Sequence, residues 1–339
     1  MFTIIIPTLD HQETLLYTTQ SIFDQTYQDF EIFIVGDGAP SNTRQIAHQL
    51  IKKDSRVRYF ENPKGEGHGE VYRAEAIKHA NGSFIAYCGD DDLWLPHHLE
   101  TLRPWLDDFD FVHTTQPSLI QSGKYLNFHA GDLGNSEIRK KMMEKKFNFF
   151  GPSTVAHRLD AYHKLPHGWQ PKPEGMNSDL HMWRQWLQQD WTRFKTLYQA
   201  TVIHLAAQHR QDHSIAERCQ EMQHWLDKFK EASFDQWFTA QQLKDWNSKA
   251  LKAIVTADLV GIAKSLEKKG IHEEAYQLSK LILASEPERA GIHLVLIQAL
   301  IEQQKIEAAI DANTRALSIF PHIMAFQKIK QRLSDSENI

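Results

Sequence analysis

Short apolar runs alternate with helical patterns along the first hundred residues of the chain. The apolar runs cover residues 2–6, 30–35, 57–60 and 84–88. Patterns with apolar residues on one helical face separate them, at residues 13–23, 44–52 and 70–79. Continuous apolar strands separated by helices indicate a parallel sheet that is covered on both faces. The sequence therefore predicts an α/β domain.

The remainder of the chain has a different pattern. Residues from about 100 to 215 mix helix, strand and loop signals, and from about residue 216 the chain is predicted to be helical. The segments that begin at Glu273 and Glu307 are alike and 34 residues apart (273 to 307), and Pro287 and Pro321 share this offset (287 to 321). Such a period resembles tetratricopeptide repeats; the alternative is two unrelated helical hairpins. Two units are few, so we expect them to stack on the preceding helices, on a protein partner or on a second copy.

Composition narrows the class of protein. The 339 residues carry a formal net charge of −5, which argues against a nucleic-acid partner. Two cysteines cannot form a disulfide framework, and no apolar stretch reaches the roughly 18 residues of a membrane span. The chain starts in a strand-like run without a basic segment, so no signal peptide is expected. We expect a cytoplasmic protein, free or peripheral at the inner face of the membrane.

Three consecutive carboxylates, Asp90, Asp91 and Asp92, follow the apolar run 84–88. Like charges packed at a strand end repel each other and shift their pKa values. A divalent cation removes this repulsion, and oxygen-rich sites suit Mg²⁺ or Mn²⁺. The alternative is an acidic helix cap, which a single Asp would satisfy.

Further polar positions follow other predicted strands. Pro7 and Thr8 end the first strand, and Asp37 follows the second. In open α/β sheets, ligands bind beyond the carboxyl ends of the strands. We therefore expect Pro7, Thr8 and Asp37 to converge with the three carboxylates.

Five motifs in order carry a family resemblance. They are Ile4-Ile5-Ile6-Pro7-Thr8, residues 21–31 (SIFDQTYQDFE), Gly36-Asp37-Gly38-Ala39, Arg73 before the acidic strand, and Gly89-Asp90-Asp91-Asp92 followed by Leu93-Trp94. Together they resemble the family 2 glycosyltransferases with the GT-A fold. The resemblance covers residues 1–215, so we expect a GT-A (Rossmann-like) domain there, a helical linker at 216–248 and tetratricopeptide-like repeats at 249–333.

The resemblance also implies an activity. It predicts a metal-dependent, inverting transfer of a sugar from a nucleotide-sugar, with UDP as the expected nucleotide and Mn²⁺ or Mg²⁺ as cofactor. The acceptor is expected to be a saccharide or lipid-linked saccharide in bacterial surface polysaccharide synthesis. A rival hypothesis is a degenerate domain that serves as an adaptor for protein partners. Gly36 and Gly89, which replace acids of the family pattern, favour that rival.

Donor-binding roles follow from the resemblance. Pro7 and Thr8 are expected at the base, and Asp37 at the uracil N3–H or a ribose hydroxyl, unless it only forms an Asx-turn before Gly38. Arg73 is expected to bind base or phosphate, unless it is an exposed helical charge. Lys64, in a Gly-rich loop, is a weaker phosphate candidate.

For the acidic triplet, the resemblance assigns Asp91 to the metal and places Asp90 and Asp92 with the nucleotide-sugar. Which of the three binds metal stays open. After the base helix, family members often carry an Arg-x-x-His motif, which Arg210 and His213 match, so His213 is a further metal or diphosphate candidate.

The resemblance places the catalytic base at Asp179, with Glu174 in reserve. A helix N-terminus at this point would lower the pKa of Asp179, and the alternative is a helix cap without a catalytic role. Trp183 and Trp186, one turn apart, could stack on a sugar face, but core packing explains them equally well.

Overall fold

A computed structural model describes residues 1–120, 125–205 and 210–336. The chain divides into two compact units, Met1–Trp246 and Asn247–Ile339.

The first unit contains the predicted alternation of strands and helices. Its first half consists of β1 (Phe2–Thr8), α1 (Thr14–Phe23), β2 (Phe30–Gly36), α2 (Ser41–Lys53), β3 (Val57–Phe60), α3 (Glu70–Ile77), β4 (Phe84–Tyr87), β5 (Leu93–Trp94) and α4 (His98–Leu102). Its second half consists of β6 (Phe111–Thr115), β7 (Pro117–Ile120), β8 (Tyr125–Phe128), α5 (Ser136–Glu144), β9 (Val155–Arg158), α6 (Leu159–Tyr162), α7 (Ser178–Leu187), β10 (Phe194–Ala200), β11 (Val202–Ile203) and α8 (Ile215–Phe229).

Seven strands form the central sheet in the order β10-β6-β9-β4-β1-β2-β3. All neighbours are parallel except β9, which runs antiparallel to β4 and to β6. Alternate residues of the central strands enter two different cores, since Ile4 and Ile6 pack on one face and Ile5 on the other. Helices cover both faces, which is why these strands read as continuous apolar runs. The predicted α/β class, with a parallel-rich GT-A sheet, is confirmed.

Most of the segment predicted as a linker is part of the first unit. Helix α8 contacts α1, and Met222 and Trp225 share an apolar core with Leu95 of the sheet domain and Phe238 of the next helix. That helix is α9 (Phe234–Lys268). The limits predicted for the glycosyltransferase-like domain, the linker and the repeats stay predictions.

The second unit is helical, as predicted. It contains α10 (His272–Ser285), α11 (Ala290–Glu302), α12 (Ile306–Ile319) and α13 (Met324–Ser336), each packed on the next. Helices α10 and α12 begin at the offset found in the sequence, and so do α11 and α13. Gly270 and Gln304 occupy equivalent turns with φ of 75° and 58°, and Ala275 and Ala309 are both fully buried. The tetratricopeptide assignment itself stays a prediction.

Within the described part of the chain, we found no helix that combines the length and the apolar character needed to cross a membrane.

Candidate active site

Three neighbouring parallel strands end at one edge of the sheet. Thr8 pairs with Gly36 across β1 and β2, and the backbone N–H of Asp37 donates to the Thr8 carbonyl over 3.0 Å. On the other side of β1, the N–H of Cys88 donates to the Ile5 carbonyl over 3.0 Å. The loops that follow these strands therefore carry their polar side chains to the same place.

A cavity of about 580 Å³ opens at this edge of the sheet. It is lined by the sequence-predicted residues Pro7, Thr8, Asp37, Arg73, Asp90 and Asp179, together with Lys64. These distant segments of the chain therefore meet at one cavity, as the sheet topology predicts. Among the described residues, Asp91 and Asp92 lie outside this lining. The roles assigned to individual residues stay predictions.

His11, which the sequence reasoning missed, stands beside the acidic triplet. Its Nδ1 lies 2.6 Å from Oδ1 of Asp90 and 4.0 Å from Oδ2 of Asp91. The hydrogen bond to Asp90 is the main cause that raises the pKa of His11 to about 9. Burial, with the charges of Asp92 and Asp90, raises the pKa of Asp91. An accumulation of carboxylates is therefore compensated here by an imidazole cation.

The donor atoms of His11, Asp90 and Asp91 fit a divalent metal. One ligand atom from each side chain lies within 4.8 Å of the other two. Carboxylate oxygens suit Mg²⁺ and Mn²⁺, and imidazole nitrogen is more usual with transition metals than with Mg²⁺. The residues present thus fit a divalent cation.

The Asp92 carboxylate is buried and binds other groups of the protein. It is 4% exposed; the Ser153 hydroxyl donates to Oδ2, and Oδ1 lies 2.9 Å from His204 Nδ1 and accepts from the Leu205 N–H over 3.1 Å. Burial raises the pKa of Asp92, but the charge and hydrogen bond of His204 outweigh it, so the pKa is lowered. Asp92 therefore anchors the chain after β11, and a donor contact by Asp92 stays only a prediction.

Asp37 is held by the Gly-rich loop. Its Oδ2 forms an ion pair with Lys64 Nζ at 2.5 Å, and its Oδ1 accepts from the Gly65 N–H over 2.7 Å. Lys64 Nζ also donates to the carbonyls of Gly65 and Gly67. These bonds tie Asp37 to the loop instead of to an Asx-turn, and they place a cation at the cavity wall.

Arg73 is a buried cation, not an exposed helical charge. It is 5% exposed, and its Nη2 donates to the His68 carbonyl and to Ser178 Oγ over 3.0 and 3.3 Å. Its guanidinium carbon lies 4.0 Å from the centroid of the Trp169 ring. Its Nε is buried without a hydrogen-bond partner among the described residues. Burial lowers the pKa of Arg73, so an anion at the cavity would offset an electrostatic cost.

Asp179 lies in the first turn of α7 at the cavity wall. Oδ2 accepts from Asn148 Nδ2 and Oδ1 from the Leu180 N–H, each over 2.8 Å. The sequence-based expectation of a lowered pKa is wrong. Burial raises the pKa of Asp179 and outweighs these hydrogen bonds, a direction that favours proton uptake. Glu174, the reserve candidate, is exposed on the preceding loop.

Four other sequence-based candidates are structural or lie outside the lining of the cavity. Trp183 and Trp186 are 1% and 0% exposed and pack in the core, so they do not offer a sugar platform. Arg210 is buried and forms an ion pair with Glu221 at 2.6 Å. His213 is not among the described residues that line the cavity. His209, the other histidine of that segment, lies outside the described residues.

Sequence reasoning missed several polar partners. His11 lies three positions after the end of the first strand, and this position was the one feature of the sequence that could have indicated a role in the site. Ser153, Asn148 and His204 lie where strand and helix signals are mixed, because β9 is inserted antiparallel between parallel strands.

Comparison with known proteins finds a family that the N-terminal part of the chain resembles. Residues 3–164 match the model of the family described as Glycosyl transferase family 2. The resemblance predicted from the sequence is confirmed: residues 3–164 are similar to this family.

Individual relatives match this part of the chain. An uncharacterized glycosyltransferase of Rickettsia bellii is 29% identical over 140 residues, which are 40% of this chain and 20% of the relative. UDP-Glc:alpha-D-GlcNAc-diphosphoundecaprenol beta-1,3-glucosyltransferase WfgD of Escherichia coli is 31% identical over 100 residues, which are 30% of this chain and 38% of that enzyme. The chain thus spans well under half the length of these relatives.

A solved structure extends the likeness in fold. The crystal structure of S. aureus TarS 1-349 in complex with UDP superposes with a TM-score of 0.50 at 14% identity, covering 99% of this chain and 91% of that chain. This likeness concerns the fold alone.

Proposed function

We propose that the protein is a metal-dependent, inverting glycosyltransferase that moves a sugar from a UDP-sugar to an acceptor hydroxyl. The observation that carries the proposal is the cavity of about 580 Å³, because it gathers Thr8, Asp37, Arg73, Asp90 and Asp179 from five segments of the chain. The family match supports the reaction class. The relatives include a UDP-Glc-dependent enzyme that acts on a diphosphoundecaprenol-linked sugar, which supports a lipid-linked or free saccharide acceptor in surface polysaccharide synthesis.

Donor binding uses the strand ends and the Gly-rich loop. Pro7 and Thr8 face the base, and Asp37 accepts from the uracil N3–H or a ribose hydroxyl through lone pairs that Lys64 and Gly65 leave free. Arg73 offers its planar fork to the diphosphate. Together with Lys64 it supplies the positive charge at the cavity wall.

His11, Asp90 and Asp91 are the residues that would hold the metal. A divalent cation held there would supply positive charge against the charge that develops on the diphosphate. Asp90 lines the donor cavity, whereas Asp91 is not among the described residues of its lining. Without a metal, the protonated imidazole of His11 offsets the repulsion between the two carboxylates, and it would release this proton to hold a cation.

Asp179 acts as the general base. Its carboxylate takes the proton of the acceptor hydroxyl, the hydroxyl oxygen forms a bond to the anomeric carbon, and the bond from that carbon to the diphosphate oxygen breaks. The electron pair leaves with UDP, and attack from the opposite face inverts the anomeric carbon. A raised pKa suits this role, because a base works best when its pKa approaches the operating pH. Asn148 holds the carboxylate in place.

The rival adaptor hypothesis rests on Gly36 and Gly89, and local packing accounts for both. A Cβ at position 36 would stand 2.6 Å from Oη of Tyr59, and one at position 89 would stand 3.0 Å from Oδ2 of Asp92. Each glycine makes room for a neighbouring side chain, so neither position is evidence of a degenerate site. The helical repeats are proposed to carry a protein contact, in a protein that is cytoplasmic or peripheral at the inner face of the membrane.

UDP release from a panel of nucleotide-sugars tests this proposal. We expect the full-length protein with Mn²⁺ to hydrolyse one UDP-sugar slowly in the absence of an acceptor, and EDTA to abolish the release. Glu174→Gln is the matched control for Asp179→Asn, because both exchanges replace a carboxylate by an amide near the start of α7. Equal UDP release with and without metal, or none from any donor, would refute the proposal.

A further inference from the structure

A second cavity shares a wall with the donor cavity. It has a volume of about 460 Å³, and Asp179 lines both cavities. Its other wall is formed by Gln116, Asn148, Gly151 and His204, among others. A general base must reach the proton of the acceptor, so the space on the far side of Asp179 is the place from which a hydroxyl can approach.

The buried side chain of Gln116 indicates that a ligand binds in this second cavity. Its side chain is 4% exposed, and its Oε1 has no hydrogen-bond partner among the described residues. A buried amide oxygen left without a partner costs free energy, and a hydroxyl ligand removes that cost. Asn148, on the same wall, already binds Asp179. Of these two amides, Asn148 positions the base, and Gln116 has an oxygen without a partner among the described residues.

The charge of the cavity wall selects among acceptors. None of the described residues that line it is Lys or Arg. Its polar groups are amides, the Ser118 hydroxyl, two histidines and the Asp179 carboxylate. Burial lowers the pKa of His204, but the charge and hydrogen bond of Asp92 outweigh it and raise this pKa to about 9, so His204 is a cation whose charge is paired with that carboxylate. Ser118 Oγ lies 2.8 Å from His129 Nε2. Such a wall suits a neutral, hydroxyl-rich ligand and not a phosphate.

We propose that the second cavity binds the terminal sugar of the acceptor as a neutral saccharide, with the Gln116 amide as a specificity-determining contact. This inference rests on the proposed function, since it uses Asp179 as the base. The acceptor hydroxyl lies between Gln116 and Asp179, and the sugar ring fills the space beside Gly151.

Neutral glycosides test the assignment directly. The probes are para-nitrophenyl β-glycosides of glucose, galactose and N-acetylglucosamine, offered in millimolar excess to the full-length protein with Mn²⁺ and the donor found in the screen. Glycerol 3-phosphate is the anionic comparison. We expect sugar transfer, seen by mass spectrometry, to at least one glycoside and none to glycerol 3-phosphate.

Two variants locate the contact. Gln116→Leu keeps the side-chain size but removes the amide, and we expect it to raise the KM for the glycoside by about tenfold, while the Kd for UDP with Mn²⁺ stays the same. Gly151→Ala keeps every polar group, but its Cβ would stand 3.3 Å from Gln116 Nε2 and narrow the cavity, so it should also raise that KM. Gln199→Leu, the same exchange at an exposed position, is the matched control.

The outcomes separate this inference from the proposed function. If the protein hydrolyses the donor but glycosylates no neutral glycoside, prefers glycerol 3-phosphate, or keeps its glycoside KM in Gln116→Leu, the acceptor assignment is overturned. If it neither hydrolyses a donor nor binds UDP, the proposed function fails, and the inference fails with it.

Discussion

Nδ1 of His11 lies 2.6 Å from Oδ1 of Asp90, although the two residues are 79 positions apart in the chain. One belongs to the loop after β1, and the other follows β4, the neighbouring parallel strand. This pair brings a nitrogen donor to a cluster that the sequence presents as purely acidic. It thereby changes the metal chemistry expected of the site.

We predict that His11→Gln changes the metal preference of nucleotide binding. Glutamine can still donate to Asp90, but it removes the imidazole nitrogen that suits Mn²⁺ better than Mg²⁺. UDP binding should therefore weaken by about tenfold or more with Mn²⁺, and by much less with Mg²⁺. Calorimetric titration with each metal measures the ratio. An equal loss with both metals would show that His11 serves only to compensate charge.

We predict that Asp179→Asn abolishes transfer and spares donor binding. The exchange keeps the shape and the helix-capping capacity of the side chain but removes its ability to take a proton. Turnover should fall by about 10² to 10⁴, while the Kd for UDP changes little. Initial rates of sugar transfer by Asp179→Asn and by the control Glu174→Gln measure this difference. Turnover of Asp179→Asn within a few-fold of the parent would move the base elsewhere.

Buried histidines should make the first unit sensitive to acid. Burial lowers the pKa of His157 to about 3 and that of His113 to about 4. Each is neutral in the folded state but takes up a proton near pH 6.5 when unfolded. The stability that each contributes is full above pH 6.5 and is lost as the pH falls towards the folded value.

We predict that His157→Gln reduces this acid sensitivity. Glutamine can still bond the hydroxyl of Tyr87, which lies 2.7 Å from His157 Nε2. Between pH 6.5 and 5 the variant should lose about 2 kcal/mol less free energy of unfolding than the parent. Urea titrations followed by tryptophan fluorescence report on the first unit alone, because all nine tryptophans lie within it. An unchanged pH dependence would exclude His157 as the cause.

We predict that Gly36→Ala is destabilising for a local reason. The added Cβ would stand 2.6 Å from Tyr59 Oη, so the ring must move, at a cost of about 1–3 kcal/mol. Tyr59→Leu in the same chain should recover most of that loss, because it removes the clash. Urea unfolding of the two single variants and the double variant measures the coupling. Additive losses would contradict the packing explanation for Gly36.

Much of the donor side could be predicted from the sequence, because strand ends of a parallel sheet meet at one edge. Pro7, Thr8 and Asp37 were placed by that rule, and the structure brings them to one cavity. The sequence is compatible with Arg73 as a ligand-binding residue or as an exposed helical charge. The structure excludes the exposed charge, because Arg73 is buried against the Trp169 ring.

Other parts of the site could not be predicted, because they depend on tertiary contacts without a local pattern. Burial, and not the helix terminus, sets the direction of the pKa shift of Asp179. The pairing of Asp92 with His204 joins residues 112 positions apart, across the region in which antiparallel β9 interrupts the parallel order.

The most direct test of the central claim is a calorimetric titration of the full-length protein with UDP, in Mn²⁺ and in EDTA, for the parent and for Asp91→Asn. The account predicts tight binding by the parent only with Mn²⁺, and loss of that metal dependence in a folded Asp91→Asn variant. Binding of UDP that is equally tight in EDTA, or unchanged in Asp91→Asn, would contradict it.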